Sequence, residues 1–428
     1  MQLVPFTTRQ FHPASGDPVA ESAAGSPVAE WPGDLLDVAA LRGGGWRPRP
    51  FRQFILKIHS RCNLACDYCY VYSAADTGWR RQPPRMSRAT AAQAVRRIAE
   101  HTSAHGLTEA EVVLHGGEPL LAGAEFVTWL ADELRRQVDP GVRLRVTTQT
   151  NGVSLRAGLL DQLADLDIAV CVSLDGPADA HDRRRRFADG RGSYAQVRRG
   201  LELLTSARYR RIFSGLLAVV DVAADPLALY AELLSWAPPA IDVILPHGNW
   251  STPPPGRHPN DGTPYADWLI PLFDRWYSAP RQETNVRLFS EIIQLVLGGA
   301  SRSEAVGLSP VGLVVVETDG SVEQVDTLKS AYDRAAATGL DVFAHSFDDV
   351  LGEPSIVARQ IGTEALAADC RACPVGRICG GGYYPHRYRA GSGFKNPSVY
   401  CPDLFRLVRH IETRVVADLT GLRRAPQC

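Results

Sequence analysis

From residue 51 onward, short apolar runs alternate with longer segments of helical period, and few folds accept that pattern. The runs lie at Phe54–Ile58, Glu111–His115, Leu144–Thr148, Ile168–Leu174, Gly215–Val220 and Ile241–Leu245. Between several of them, apolar residues recur every three or four positions, at Ser87–His105, Glu125–Val138 and Ser193–Ala207, with Ser87 placed as an N-cap. Neighbouring parallel strands need a crossover, which a helix supplies. Six β-then-α units therefore predict an α/β fold with a mainly parallel sheet, curled into a partial (β/α)6 TIM-like barrel over residues 51–285. In barrels of this kind the chemistry collects on the loops that follow the strands.

The remainder reads as additions to that unit. After a proline-rich loop, Thr252–Pro259, helical pattern runs from about Tyr265 to Leu297. Residues 286–365 form a bridging segment with a hairpin, Val311–Val316 and Ser321–Val325, around the turn pair Asp319-Gly320. Residues 366–428 form a small domain ending in an amphipathic helix, about Pro402–Leu419. Residues 1–50, rich in Pro, Gly, Ala and Ser, read as a partly disordered arm or leader, with a peptide-binding arm as the lesser reading. A formal net charge of −1 argues against bulk electrostatic binding to nucleic acid or to an anionic membrane. No apolar run approaches the roughly 18 residues that span a bilayer, and no secretory signal pattern opens the sequence. The expected location is the cytoplasm.

Seven of the nine cysteines fall into two groups, which in such a chain argues for metal ligation rather than disulfides. Cys171 alternates within a strand as a core residue would, and Cys428 is the last residue and reads as free. The first group, Cys62, Cys66 and Cys69, follows the first strand directly. Three thiolates on one loop can grip one metal centre, but no fourth ligand is local. Structural zinc wants four ligands, whereas a cubane cluster accepts three cysteines and keeps one iron open. Three short motifs follow, each at a strand end: Gly116-Gly117-Glu118-Pro119, Gln149-Thr150-Asn151-Gly152 and Ser173-Leu174-Asp175-Gly176. In the first, two glycines admit close backbone approach to a ligand, and a carboxylate can pair with an ammonium group.

Cys-x3-Cys-x2-Cys after the first strand of a β/α barrel, with these motifs in this order, resembles the radical S-adenosylmethionine (SAM) enzymes. The resemblance implies a 4Fe-4S cluster with an open iron on Cys62, Cys66 and Cys69. It places Tyr68 against the adenine of SAM, Gly116, Gly117, Glu118 and Pro119 at the methionine amino group, and Ser173 at the ribose, with Asn151 also in the SAM site. Arg185 reaches the SAM carboxylate, although the run Arg183–Arg186 leaves the register open. The strand end Leu245–His247 touches the adenine through backbone, with His247 itself a bystander.

The second group is Cys370-x2-Cys373-x5-Cys379 with Cys401 further on, a spacing that suits zinc or a fully ligated 4Fe-4S cluster alike. Many radical SAM enzymes that modify peptides carry a C-terminal SPASM domain with two auxiliary clusters. This tail resembles a SPASM domain that keeps one auxiliary 4Fe-4S cluster, on Cys370, Cys373, Cys379 and Cys401. The other site has lost its ligands, with Val325 and Tyr383 standing at two of them. In sulfatase-maturing relatives an Asp after the first of these positions acts as base, which assigns Asp326 that role, with a pKa raised by desolvation. Glu317, Asp319 and Glu323 read as surface charge, and Lys329 as a salt-bridge partner or nothing.

The segments Gly380–Tyr388 and Gly391–Cys401 resemble the FxsB-type maturases of small ribosomal peptides. The implied function is a carbon–carbon (cyclophane) cross-link in a precursor peptide, begun at a side-chain Cβ, with an electron donor such as flavodoxin or ferredoxin. Other radical peptide modifications (formylglycine formation, epimerisation, a thioether link) and a non-catalytic iron–sulfur sensor or peptide chaperone are the alternatives.

Overall fold

The computed structural model describes residues 30–257 and 262–424. Each of the six apolar runs is a strand: β1 Gln53–His59, β2 Glu109–Gly116, β3 Arg143–Thr150, β4 Ala169–Ser173, β5 Phe213–Val219 and β6 Ala240–Ile244. They pair in chain order, every neighbour parallel. A two-residue β7, Asn285–Val286, extends the far edge. On the near edge β8, Leu313–Val316, joins β1 in parallel, followed by antiparallel β9, Ser321–Glu323, and β10, Ala337–Asp341. The order is β10-β9-β8-β1-β2-β3-β4-β5-β6-β7, and among the described residues no pairing joins the two ends. The barrel is open.

Side chains alternate along a strand, so pairing register decides which residues share a face. Phe54, Val112 and Val146 form one row across β1 to β3, and Leu56, Leu114, Thr148 and Val170 another across β1 to β4, together making the buried outer layer. The helices Arg88–Ala104, Ala124–Gln137 and Tyr194–Leu204 cover it with Val95, Ile98, Leu130 and Leu201. Ser87 caps the first of these, accepting from Thr90 N at 3.0 Å. The other face carries Lys57, His115, Gln149, Cys171 and Ser173 toward the concave side. Cys171 is half-buried there, and burial pushes its thiol up to about 12.

Three expectations change. The helical pattern from Tyr265 to Leu297 is two helices, Pro264–Tyr277 and Arg287–Val296, because Pro280 interrupts it and β7 takes the residues before the second. The hairpin turns at Asp319-Gly320 with Gly320 at φ +95°, but it extends the barrel sheet, and β10 beyond it had no sequence signal. Residues 30–50, read as part of an arm, are held against the tail and the bridging segment. Trp31 is buried, its carbonyl accepts from Phe394 N at 3.0 Å, and Gln360 bonds both backbone groups of Arg49. Residues 1–29, Cys428 and the end of the proline-rich loop lie outside the described residues.

Candidate active site

The loop after β1 and the loop after β2 are packed backbone to backbone. Gly117 N donates to His59 O at 2.9 Å and Glu118 N to Arg61 O at 3.0 Å. A Cβ at Gly116 would overlap the His59 carbonyl, and one at Gly117 the Tyr72 hydroxyl. The glycine pair thus admits the cysteine loop itself. Both glycines also line a cavity, partly open to solvent, together with Cys62, Cys66, Cys69 and Tyr68. Burial pushes the Cys62 thiol up to about 12 and Cys66 to about 11, and raises Cys69. Neutral thiols so shifted become thiolates readily only when a cation or metal compensates.

Glu118 is fully buried and does not line the cavity. Its carboxylate accepts from Leu120 N, Thr150 Oγ1 and Asn151 N at 3.1, 2.8 and 2.8 Å, which pins the ends of β2 and β3 together. Pro119 begins the short helical turn Pro119–Ala122 behind it. Asn151, held by Glu118, reaches Cys62 Sγ at 3.6 Å and Asn63 Oδ1 at 2.7 Å. Gln149, a lining residue that the sequence reading left without a role, donates to Ser173 Oγ at 3.0 Å.

Across the cavity Tyr68 bonds Asp175, and Arg185 donates to the Tyr68 oxygen at 2.6 Å. Asp175 also accepts from Val219 N at 3.0 Å, tying this set to β5. The Arg183–Arg186 register is thereby resolved: Arg185 is the buried one, while Arg183 and Arg184 pair with Asp221 and Asp67 outside. Arg185 Nε is buried with no partner, and so are His115 Nδ1 and His247 Nδ1, all in cavity-lining residues. Orphaned donors of this kind want a ligand. An anionic, nucleoside-bearing ligand fits Arg185 Nε, and three thiols beside it fit a cluster with one open iron.

Asp326 lies behind the cavity wall. Tyr70, which lines the cavity, donates to Asp326 Oδ2 at 3.1 Å, and His115 Nδ1 stands 3.9 Å from it. Burial alone would raise its pKa, but Lys57 at 3.1 Å, with His115 and Lys329, holds it well below the usual carboxylate range. The expectation of a raised value is corrected. Glu317 and Glu323 are buried too, paired with Lys57 and Lys329, and only Asp319 remains on the surface turn. These acids read as surface charge because a short hairpin was expected to face water. Its parallel pairing with β1 puts them against Lys57 instead.

In the tail, Cys370 lies on the short helix Ala368–Ala372, Cys379 ends Gly376–Cys379, and Cys401 opens the helix Cys401–Arg424. Gly380, Gly381 and Gly382 all have positive φ, and a Cβ at Gly380 would overlap the Gly307 carbonyl oxygen. This turn lets Arg387, buried, donate to Gly380 O at 2.7 Å and to Gly382 O at 3.0 Å. Its guanidinium lowers the pKa of Cys370 and Cys379 against the stronger upward push of burial. Tyr383 Oη and Thr327 Oγ1 share a hydrogen bond of 2.7 Å, so one substituted ligand position, Tyr383, meets a residue two along from the other, Val325.

Residues 56–225, from within β1 to the loop after β5, match the radical SAM superfamily. The chain is a radical SAM enzyme, the class its open barrel and cysteine loop define. Within that class it is related to the anaerobic sulfatase-maturating enzymes. It is 25% identical over 290 residues to the cysteine-type enzyme of Clostridium perfringens, covering 65% of this chain and 74% of that one. Against the serine-type enzyme of Klebsiella aerogenes it is 25% identical over 372 residues, 84% of this chain and 87% of that one. Among solved structures, native anSMEcpe with bound AdoMet superposes with a TM-score of 0.70 at 21% identity, over 86% of this chain and 99% of that chain. Streptococcus suis SuiB bound to precursor peptide SuiA gives 0.55 at 14%, over 85% and 78%. Both likenesses are of fold. No helix among the described residues is long and apolar enough to cross a membrane.

Proposed function

We propose that this enzyme is a maturase of a ribosomally synthesised peptide, forming a carbon–carbon (cyclophane) cross-link from a side-chain Cβ. The observation that carries this reading is where the tail sits. The segment resembling FxsB-type maturases borders the reaction chamber, with the His386 and Tyr383 rings 5.8 and 6.1 Å from that of the cavity-lining His247. When bound, SAM and the clusters supply a 5′-deoxyadenosyl radical to take the hydrogen and an acceptor for the electron left behind.

The chain's own part is to hold and to exclude. Arg185 and Tyr68 fix one end of the SAM site, Ser173 and Gln149 the middle, and Asn151 orients toward the cysteine loop. Tyr70, His115 and His247 close the wall toward Asp326, which takes the proton the substrate releases. For the tail cysteines the proposal is an auxiliary 4Fe-4S cluster. Four cysteines suit zinc or a fully ligated cluster alike, and the resemblance of the tail to a SPASM domain favours the cluster.

A second reading, oxidation of Ser or Cys to formylglycine, is favoured by the names of the sulfatase-maturating relatives. Mass spectrometry of candidate peptides after anaerobic turnover separates the two. A cross-link should appear as loss of two hydrogens, no fragmentation inside the ring, and no reaction with a hydrazide. A hydrazide adduct at a single Ser or Cys would replace the cross-link by the aldehyde.

A further inference from the structure

A row of buried charge leads away from Asp326. Its Oδ2 is 3.1 Å from Lys57 Nζ, which is 3.2 Å from Glu317 Oε1. Lys329 Nζ lies 2.6 Å from that same Glu317 oxygen and 2.8 Å from Glu323 Oε2. The order is acid, base, acid, base, acid. The first four side chains are 2–5% exposed and Glu323 is 11% exposed, so the row runs from the cavity wall toward solvent. Isolated buried charges are costly, and five in a line are not explained by stability, since apolar replacements of buried ion pairs are often neutral or better. Three carboxylates against two ammonium groups leave one negative charge uncompensated, which is room for one proton.

We infer that this row is the proton exit of the active site, carrying the substrate's proton from Asp326 through Lys57, Glu317 and Lys329 to Glu323 and then to water. The inference rests on the oxidative peptide reading above. After giving a hydrogen atom to the radical, the substrate must lose one electron, which goes to an iron–sulfur acceptor, and one proton. That proton passes by way of Tyr70 or His115 to Asp326, which accepts from Tyr70 at 3.1 Å and faces His115 at 3.9 Å. Each ammonium hands a proton to the carboxylate ahead and takes one from the carboxyl behind, so no lysine ends neutral. Asp326, held low by Lys57, binds the proton only in passing. The stable seat is Glu323. It is faced by Lys329, Glu317 and Lys57, while β10 on its other side sets Ala337 opposite it. Burial and the Glu317 carboxylate push its pKa up to about 7.

The test uses the reconstituted, substrate-free enzyme first. An infrared difference titration should show one carboxylic acid losing its proton near pH 7, a signal absent from Glu323→Gln. In turnover, wild-type peptide product should rise from roughly pH 6 to 8 as Glu323 becomes free to accept. Glu323→Gln should flatten that rise and slow product on the order of tenfold, less than the 10²–10⁴ of a directly positioned base. Glu323→Asp, which keeps the carboxylate, should restore the inflection at an intermediate rate; a merely structural role would not. Wild-type rate and pH profile in Glu323→Gln would overturn the exit while leaving the function standing. A wild-type enzyme with the carboxyl signal but no oxidised peptide would overturn the functional reading and the exit with it.

Discussion

Replacing Asp326 by asparagine should remove peptide product by about 10²–10⁴-fold while SAM cleavage without peptide continues. Asparagine keeps the size of the side chain and can still accept from Tyr70, so the wall of the cavity stays in place. What it loses is the charge opposite Lys57 and the lone pair that takes a proton. Because Asp326 touches Tyr70, His115 and Lys57 but no cysteine of the first loop, the radical-generating half of the site is spared. The checks are 5′-deoxyadenosine by chromatography and peptide by mass spectrometry from the same reaction. Product at the wild-type rate would remove Asp326 from the chemistry.

The second large effect is on stability. Lys57→Met should cost about 3–5 kcal/mol at pH 8, because it strands Asp326 as a buried, uncompensated carboxylate and leaves Glu317 with Lys329 alone. The pH dependence has a definite sign. In the wild type, burial opposes both carboxylates but Lys57 wins, and both folded pKa values lie below their unfolded ones. Their contribution is present above about pH 4 and fades only in stronger acid. Without Lys57, burial dominates at Asp326 and its folded value rises above the unfolded one, while Lys329 still faces Glu317. That penalty is absent at low pH and grows as pH climbs through the raised value. The gap between variant and wild type should therefore narrow from pH 8 to pH 5, as followed by chemical denaturation. Adding Asp326→Asn to Lys57→Met should recover part of the loss at pH 8.

Local pattern carried the barrel: Val112, Leu114 and their neighbours repeat with period two, and Val95 and Ile98 with the helical period. The cysteine loop was legible for a similar reason, since all three thiols lie within one turn of chain. What escaped was non-local. Glu317 follows Leu313–Val316 and precedes a turn, which in an isolated hairpin means a wet position. Only the parallel pairing of β8 with β1, some 250 residues back, sets it beside Lys57. Gln149 looked like motif filler until register set it beside Ser173. Trp31 gave no sign of its partner, because Phe394 lies at the opposite end of the sequence. Glu118 shows the converse: its carboxylate was expected at the methionine amino group, but the donors it serves are Leu120, Thr150 and Asn151 of its own chain.

The central claim is that Cys62, Cys66 and Cys69 hold an open cluster beside a SAM site. The direct measurement is anaerobic reconstitution with iron and sulfide, followed by dithionite and SAM, with 5′-deoxyadenosine as the readout. The wild-type chain should produce it, and Cys62→Ala, Cys66→Ala and Cys69→Ala should each produce none above background. No 5′-deoxyadenosine from a wild-type protein that has taken up its iron would contradict the account.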